Sequence, residues 1–152
     1  MGPRRAAAVL AALVLNGCTA GEDPPLPAEC VQGEEALQEA LAAAPQPVRV
    51  AGGTPISRCV ELASSAAEMQ NVGILVVGIA EELKKQAADG DEAAAAALGY
   101  LVGAVSRGAE RTNGTHLELA FRVSRVAGAL GDPPPAIFDA LIEGIAAGER
   151  TG

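Results

Sequence analysis

The sequence predicts an all-α protein, a single small bundle of five to six helices braced by one disulfide. Two observations carry most of that expectation. Of 152 residues, 33 are alanine, many in runs such as Ala93 to Ala97, and alanine has the highest helix propensity. Leucine, valine and isoleucine recur between the alanines at spacings of three and four, the period of a helix with one buried face. That periodicity argues against low-complexity disorder. With two Phe, one Tyr and no Trp, the core must be built from Ala, Leu, Val and Ile.

The first eighteen residues read as an address. Arg4 and Arg5 give a positive start, Ala6 to Leu15 is an unbroken apolar run, and Leu15-Asn16-Gly17-Cys18 sets a small residue before a cysteine. Together these make a bacterial secretion signal. The last four residues resemble a lipobox, which implies a diacylglycerol thioether on Cys18, cleavage just before it, and a mature chain that starts there. Secretion without the lipid is the competing reading. A membrane-spanning anchor is weaker still, because ten apolar residues fall short of the ~20 needed to cross a bilayer. The expected organisation is residues 1–17 as signal, 18–29 as a lipid-attached tether and 30–152 as the helical domain.

Residues 19–29 hold three prolines and no apolar period, which describes a tether. Such a stretch reaches at most about 36–40 Å. A first helix is expected from about Gly33 to Ala44, with Glu34 and Glu35 at its positive end and Pro45 and Pro47 ending it. Val48 to Ala51 then runs extended, Gly52-Gly53 turns it, and Thr54-Pro55 reads as a cap with proline at the first helical position. A second helical region spans about Pro55 to Ala88 and bends or breaks near Ser64-Ser65. Met69, Val72, Val76, Ile79 and Leu83 mark its buried stripe, with Leu75 beside it, and Glu81, Glu82, Lys84 and Lys85 its watered side.

Asp89-Gly90-Asp91 turns the chain, with Asp91 as N-cap of a third helix running to about Arg111. On it Leu98, Leu101, Val102 and Val105 point one way, and Gly99 and Gly103 lie four apart on one face, a packing groove for a neighbouring helix. Asn113-Gly114 ends it. Thr115 and Glu118 have capping-box spacing and start a fourth helix through Leu117, Phe121 and Leu130, stopped by Gly131. After Asp132-Pro133-Pro134-Pro135 comes a last helix to about Ala147, with Ile137, Phe138, Leu141, Ile142 and Ile145 on its buried side.

Setting Cys18 aside leaves Cys30 and Cys59, an even pair expected to be bridged in an oxidising compartment. A metal pair would want two more ligands where the chain has one histidine, and a catalytic thiol is the other alternative. The bridge would tie the start of the first helix to the first turns of the second and hold the extended return between them.

Charge excludes some partners. The chain carries 11 Lys+Arg against 19 Asp+Glu; without Arg4 and Arg5 the net charge is about −10. Such a surface repels phosphate backbones and anionic headgroups, so nucleic acid is not an expected partner.

Candidate chemistry is sparse. His116, the single histidine, is expected to face solvent beside a cap. Arg107, Arg111 and His116 gather at the end of the third helix. Basic residues favour that pole, and two arginines one turn apart also suit an anion. Gly99, Tyr100 and Gly103 are the residues that would line a ligand groove. Asp89-Gly90-Asp91-Glu92 resembles part of a calcium loop but lacks its spaced ligands and final Glu, and Asn113-Gly114-Thr115 matches a glycosylation acceptor by chance. No nucleotide loop, nucleophile elbow, metal helix or paired glycosidase carboxylates is recognisable, so no enzyme, cofactor or metal is expected.

With the lipobox, the Cys30 to Cys59 spacing and the stretch Leu98 to Val105, the whole chain resembles small uncharacterised lipoproteins of high-GC bacteria. The resemblance implies a lipid anchor at Cys18 and a helical domain outside the cytoplasm; it supplies no activity or site. The function expected is binding of another envelope protein. The alternative is a small apolar or anionic ligand held in an inter-helix groove, and an enzyme without a recognisable motif ranks third.

Overall fold

The computed structural model describes residues 24–112, 114 and 116–152. The expected anchor, Cys18, and two residues of the expected caps, Asn113 and Thr115, lie outside them. A short 3₁₀ turn, Ala28–Val31, precedes six α-helices: α1 Glu34–Leu41, α2 Ile56–Leu62, α3 Ala66–Ala88, α4 Glu92–Glu110, α5 Leu117–Gly128 and α6 Pro135–Thr151. No strand occurs among the described residues. The all-α expectation and the count of helices hold.

Helix α4 is the axis. Every residue from Ala94 to Val105 is buried, and a helix apolar all round belongs in the middle of a core. Helices α2, α3, α5 and α6 all pack on it. Its start is set by Asp91, whose Oδ1 accepts from Ala94 N–H at 3.1 Å, so the acidic turn at 89–92 is explained by capping. The break expected near Ser64-Ser65 separates α2 from α3. Ser65 and Glu68 form a capping box there, with Glu68 Oε2 taking Ser65 N–H at 2.9 Å and Ser65 Oγ taking Glu68 N–H at 3.2 Å. Pro55 sits at the N-cap of α2 rather than in its first turn, and Thr54 donates its hydroxyl to Glu29 Oε1 at 2.9 Å.

Cys30 and Cys59 are bridged, with Cα atoms 5.3 Å apart across 29 positions. The bridge joins the 3₁₀ turn to α2 and encloses the extended return, in which Val48 and Val50 are buried while Arg49 between them is exposed. Closing a loop of that length contributes about 3–4 kcal/mol in the chain-entropy account.

Helix α6 presents a different face from the one expected, and α5 turns its largest apolar side chain outward. On α5 the buried residues are Leu119, Ala120, Val123, Val126 and Ala127, whereas Leu117 and Phe121 are exposed. The helix carries two apolar stripes about half a turn apart, and the one that turns inward packs on α3, where Leu119 Cδ1 would lie 3.6 Å from a Cβ on Gly73, an ordinary side-chain contact. On α6 the buried residues are Ile137, Leu141, Gly144, Ala147 and Gly148; Phe138 and Ile142 are exposed, Ile145 is half-buried, and the helix runs on to Thr151.

The reason lies in glycine. Helices α4 and α6 meet backbone to backbone. A Cβ on Gly99 would run into Leu141 O and sit 2.9 Å from Ile145 N, and one on Gly103 would sit 2.7 Å from Glu149 N. Reciprocally, Cβ atoms on Gly144 and Gly148 would lie 2.9 Å from Tyr100 N and 2.8 Å from Ala104 N. Contact this close needs the glycine face of α6 turned inward, which turns Phe138 and Ile142 out.

Candidate functional site

The last carbonyls of a helix lack partners within it and form its negative pole. At the end of α6 they are taken one by one. Arg107 Nη1 donates to Glu149 O at 2.6 Å and Arg150 O at 2.7 Å. Arg49 Nη1 donates to Thr151 O at 2.7 Å, and the buried Ser57 Oγ donates to Gly152 O. Beneath them the fully buried Tyr100 links three elements. Val48 N–H donates to its Oη at 3.0 Å. Thr151 Oγ1 donates to Ala147 O at 3.0 Å, so it accepts from Tyr100 Oη at 2.9 Å.

The candidate anion cluster is therefore divided among protein oxygens. Arg107 does offset a helix C-terminus, that of α6 rather than its own. Arg111 Nη1 is 3.4 Å from Glu61 Oε2, and Arg58 holds the other oxygen of that carboxylate at 2.9 Å. His116 is 4% exposed, which corrects the expectation that it faces solvent. Its Nε2 lies 2.7 Å from Ala63 O at the end of α2 and its backbone N–H donates to Thr112 Oγ1 at 3.2 Å. A carbonyl only accepts, so Nε2 carries the hydrogen and Nδ1 is left without a partner among the described residues. The buried carbonyl of Ala63 could not be read from sequence, because it depends on where α2 ends in space.

Gly99, Tyr100 and Gly103 do come together on one face, and that face is filled by α6. The sequence did carry a matching signal that was missed, the spacing Gly144, Gly148 and Gly152 on the last helix.

A narrow pocket of about 10 Å³ lies beside the disulfide, lined by Cys30, Cys59, Val50 and Val72 among others, which is room for one water at most. Three depressions open to solvent are larger. One of about 370 Å³ has Val31, Ile74 and Leu75 on its walls. Another of about 300 Å³ lies between α3 and α5, lined by Val77, Glu81, Arg122, Arg125, Val126 and Ala129. The third, about 230 Å³, lies where α1, α3 and α4 meet, against Leu41, Leu83 and Ala94. The large exposed apolar side chains are Val31, Ile74, Leu117, Phe121, Phe138 and Ile142.

Carboxylate chemistry stays at the surface. Ser65 backbone and hydroxyl donors hold the Glu68 carboxyl below the usual carboxylate range. The Gln86 amide, then Lys85, does the same for Glu82. Among the described residues no three His, Cys, Asp or Glu side chains gather as metal ligands, and no helix is long and apolar enough to cross a membrane. No family model, curated protein or solved structure matches this chain.

Proposed function

We propose that the chain is a lipid-anchored, extracytoplasmic lipoprotein whose helical domain works by binding another envelope protein. In this reading Cys18 is the anchor, residues 18–29 are the tether, and the Cys30–Cys59 bridge suits an oxidising compartment. The observation that supports binding is the contrast between inside and outside. Inside, every residue of α4 from Ala94 to Val105 is buried, while Leu117 with Phe121 and Phe138 with Ile142 stand exposed one turn apart on α5 and α6. Apolar residues scattered singly are ordinary on a surface; paired along a helix face they form stripes of the kind partners cover.

Mass spectrometry of the native protein should find residues 1–17 removed and Cys18 acylated. Crosslinking in the native envelope, with the partner identified and the crosslinks mapped, should place it on the outer faces of α5 or α6. Leu117→Ser with Phe121→Ser, or Phe138→Ser with Ile142→Ser, should release it without lowering Tm. Recovery of the monomer alone, or residues 1–17 still attached to an unmodified Cys18, overturns the reading.

A further inference from the structure

The described residues contain nine Lys and Arg, and six of them engage a protein oxygen. Arg49 and Arg107 hold carbonyls, Arg58 and Arg111 share Glu61, Lys84 meets Glu81, and Lys85 meets Glu82. The other three are Arg122, Arg125 and Arg150. Two of them line the same depression between α3 and α5, over a floor of Val77, Val126 and Ala129.

That placement is not what local sequence would dictate. Glu118 stands one turn before Arg122, a spacing and order that favours an ion pair, yet no such pair forms; Arg122 lines the depression instead. Arg125 is braced in position by Phe121, whose ring centroid lies 5.9 Å from its guanidinium carbon, a cation–π distance. Two guanidinium groups at i and i+3 repel each other. An anion between them removes the repulsion and gains forked hydrogen bonds. The remaining charge in the depression, Glu81, is neutralised by Lys84. On a chain of net charge −8 this is a local site of positive sign with an apolar floor.

We propose that this depression binds a small amphiphile carrying one carboxylate on an apolar chain, with Arg122 and Arg125 taking the carboxylate and Val77, Val126 and Ala129 taking the chain. The volume, about 300 Å³, is that of about ten waters. This site shares Phe121 with the α5 stripe assigned to a protein partner but none of its lining residues, so octanoate binding by the isolated chain tests it separately from partner capture.

The test is an NMR titration of the full chain, Cys30–Cys59 oxidised, with sodium octanoate, and with octan-1-ol, sodium acetate and inorganic phosphate as separate probes. Octanoate should shift the amides of Val77, Glu81, Arg122, Arg125 and Val126 saturably, and more weakly as salt is added. The other three probes should shift them far less. Arg122→Gln or Arg125→Gln should each weaken binding about threefold, the scale of an exposed ion pair, and the double variant about tenfold. Glu81→Gln should tighten binding, and Arg150→Gln should leave it unchanged. Octan-1-ol matching octanoate would reduce the site to bare apolar surface. Acetate or phosphate matching it would reduce the site to charge screening. Either result, or a double variant that binds octanoate as tightly as the native chain, overturns the proposal.

Discussion

Two seams flank the central helix and they are built on opposite terms. Between α4 and α6 the backbones touch, glycine faces glycine, and Arg49, Ser57, Tyr100, Arg107 and Thr151 at the edge all donate to backbone or hydroxyl oxygens of the protein, Arg107 through Nη1 while its buried Nε is left without a partner. Between α3 and α5 side chains keep the helices apart and leave a depression of about 300 Å³, and two arginines in it have no carboxylate partner among the described residues. A seam closed on backbone has no volume to offer a ligand. A seam held open by side chains has both volume and unpaired charge, and so the proposed ligand site falls on the second.

The largest effect should come from adding one methyl to the closed seam. Gly148→Ala or Gly144→Ala puts a Cβ against backbone atoms that cannot swing aside and should cost about 2–3 kcal/mol in denaturant unfolding. Gly128, on α5, has nothing within 4 Å of its would-be Cβ, so Gly128→Ala should stabilise by about 0.5 kcal/mol through helix propensity. Equal costs at the two positions would mean that the α4–α6 contact is no tighter than open helix surface.

Tyr100→Phe comes next. The ring stays and the hydroxyl goes, leaving the buried Val48 N–H unpaired, for about 1–3 kcal/mol. Smaller again are Leu117→Ser and Phe138→Ser, which change exposed side chains and should move stability by no more than about 0.5 kcal/mol. A large loss at either would mean that the side chain is covered in solution.

Much of this was legible in the sequence, and the limits have physical causes. Capping reads directly because it is local: Asp91 and the Ser65–Glu68 box lie within three residues of the groups they satisfy. The disulfide followed from cysteine parity, and the break at Ser64-Ser65 from composition. Periodicity says that a helix has an apolar stripe but not which of two stripes turns inward; on α6 that choice depends on how closely α4 approaches. Arg107 could be assigned to a helix C-terminus, but which helix is a matter of tertiary placement. For the same reason His116, beside a turn, gave no sign of being buried against Ala63. The α3–α5 depression leaves no mark in the sequence, because Val77 and Arg122 are brought together only by packing.

Acid should separate the seams most finely. No Asp or Glu side chain takes part in the polar contacts at the end of α6, whereas α3 is capped by Glu68 and braced by Glu82. Both carboxyls are held below their ordinary value, Glu68 chiefly by the Ser65 N–H and Glu82 chiefly by the Gln86 amide. A group whose folded pKa is depressed contributes stability that is full above its unfolded pKa and is lost as pH falls through the folded one. Acidification below the ordinary carboxylate range should therefore loosen the N-terminal turn of α3 first, seen as faster amide hydrogen exchange at Met69 and Gln70, while Ala104 and Gly148 stay protected. Glu68→Gln should make exchange in that turn less dependent on pH without slowing it, because the amide keeps an acceptor oxygen but loses the charge. Simultaneous loss of protection in both seams would mean that they melt as one unit, and the contrast between them would then be a property of geometry alone.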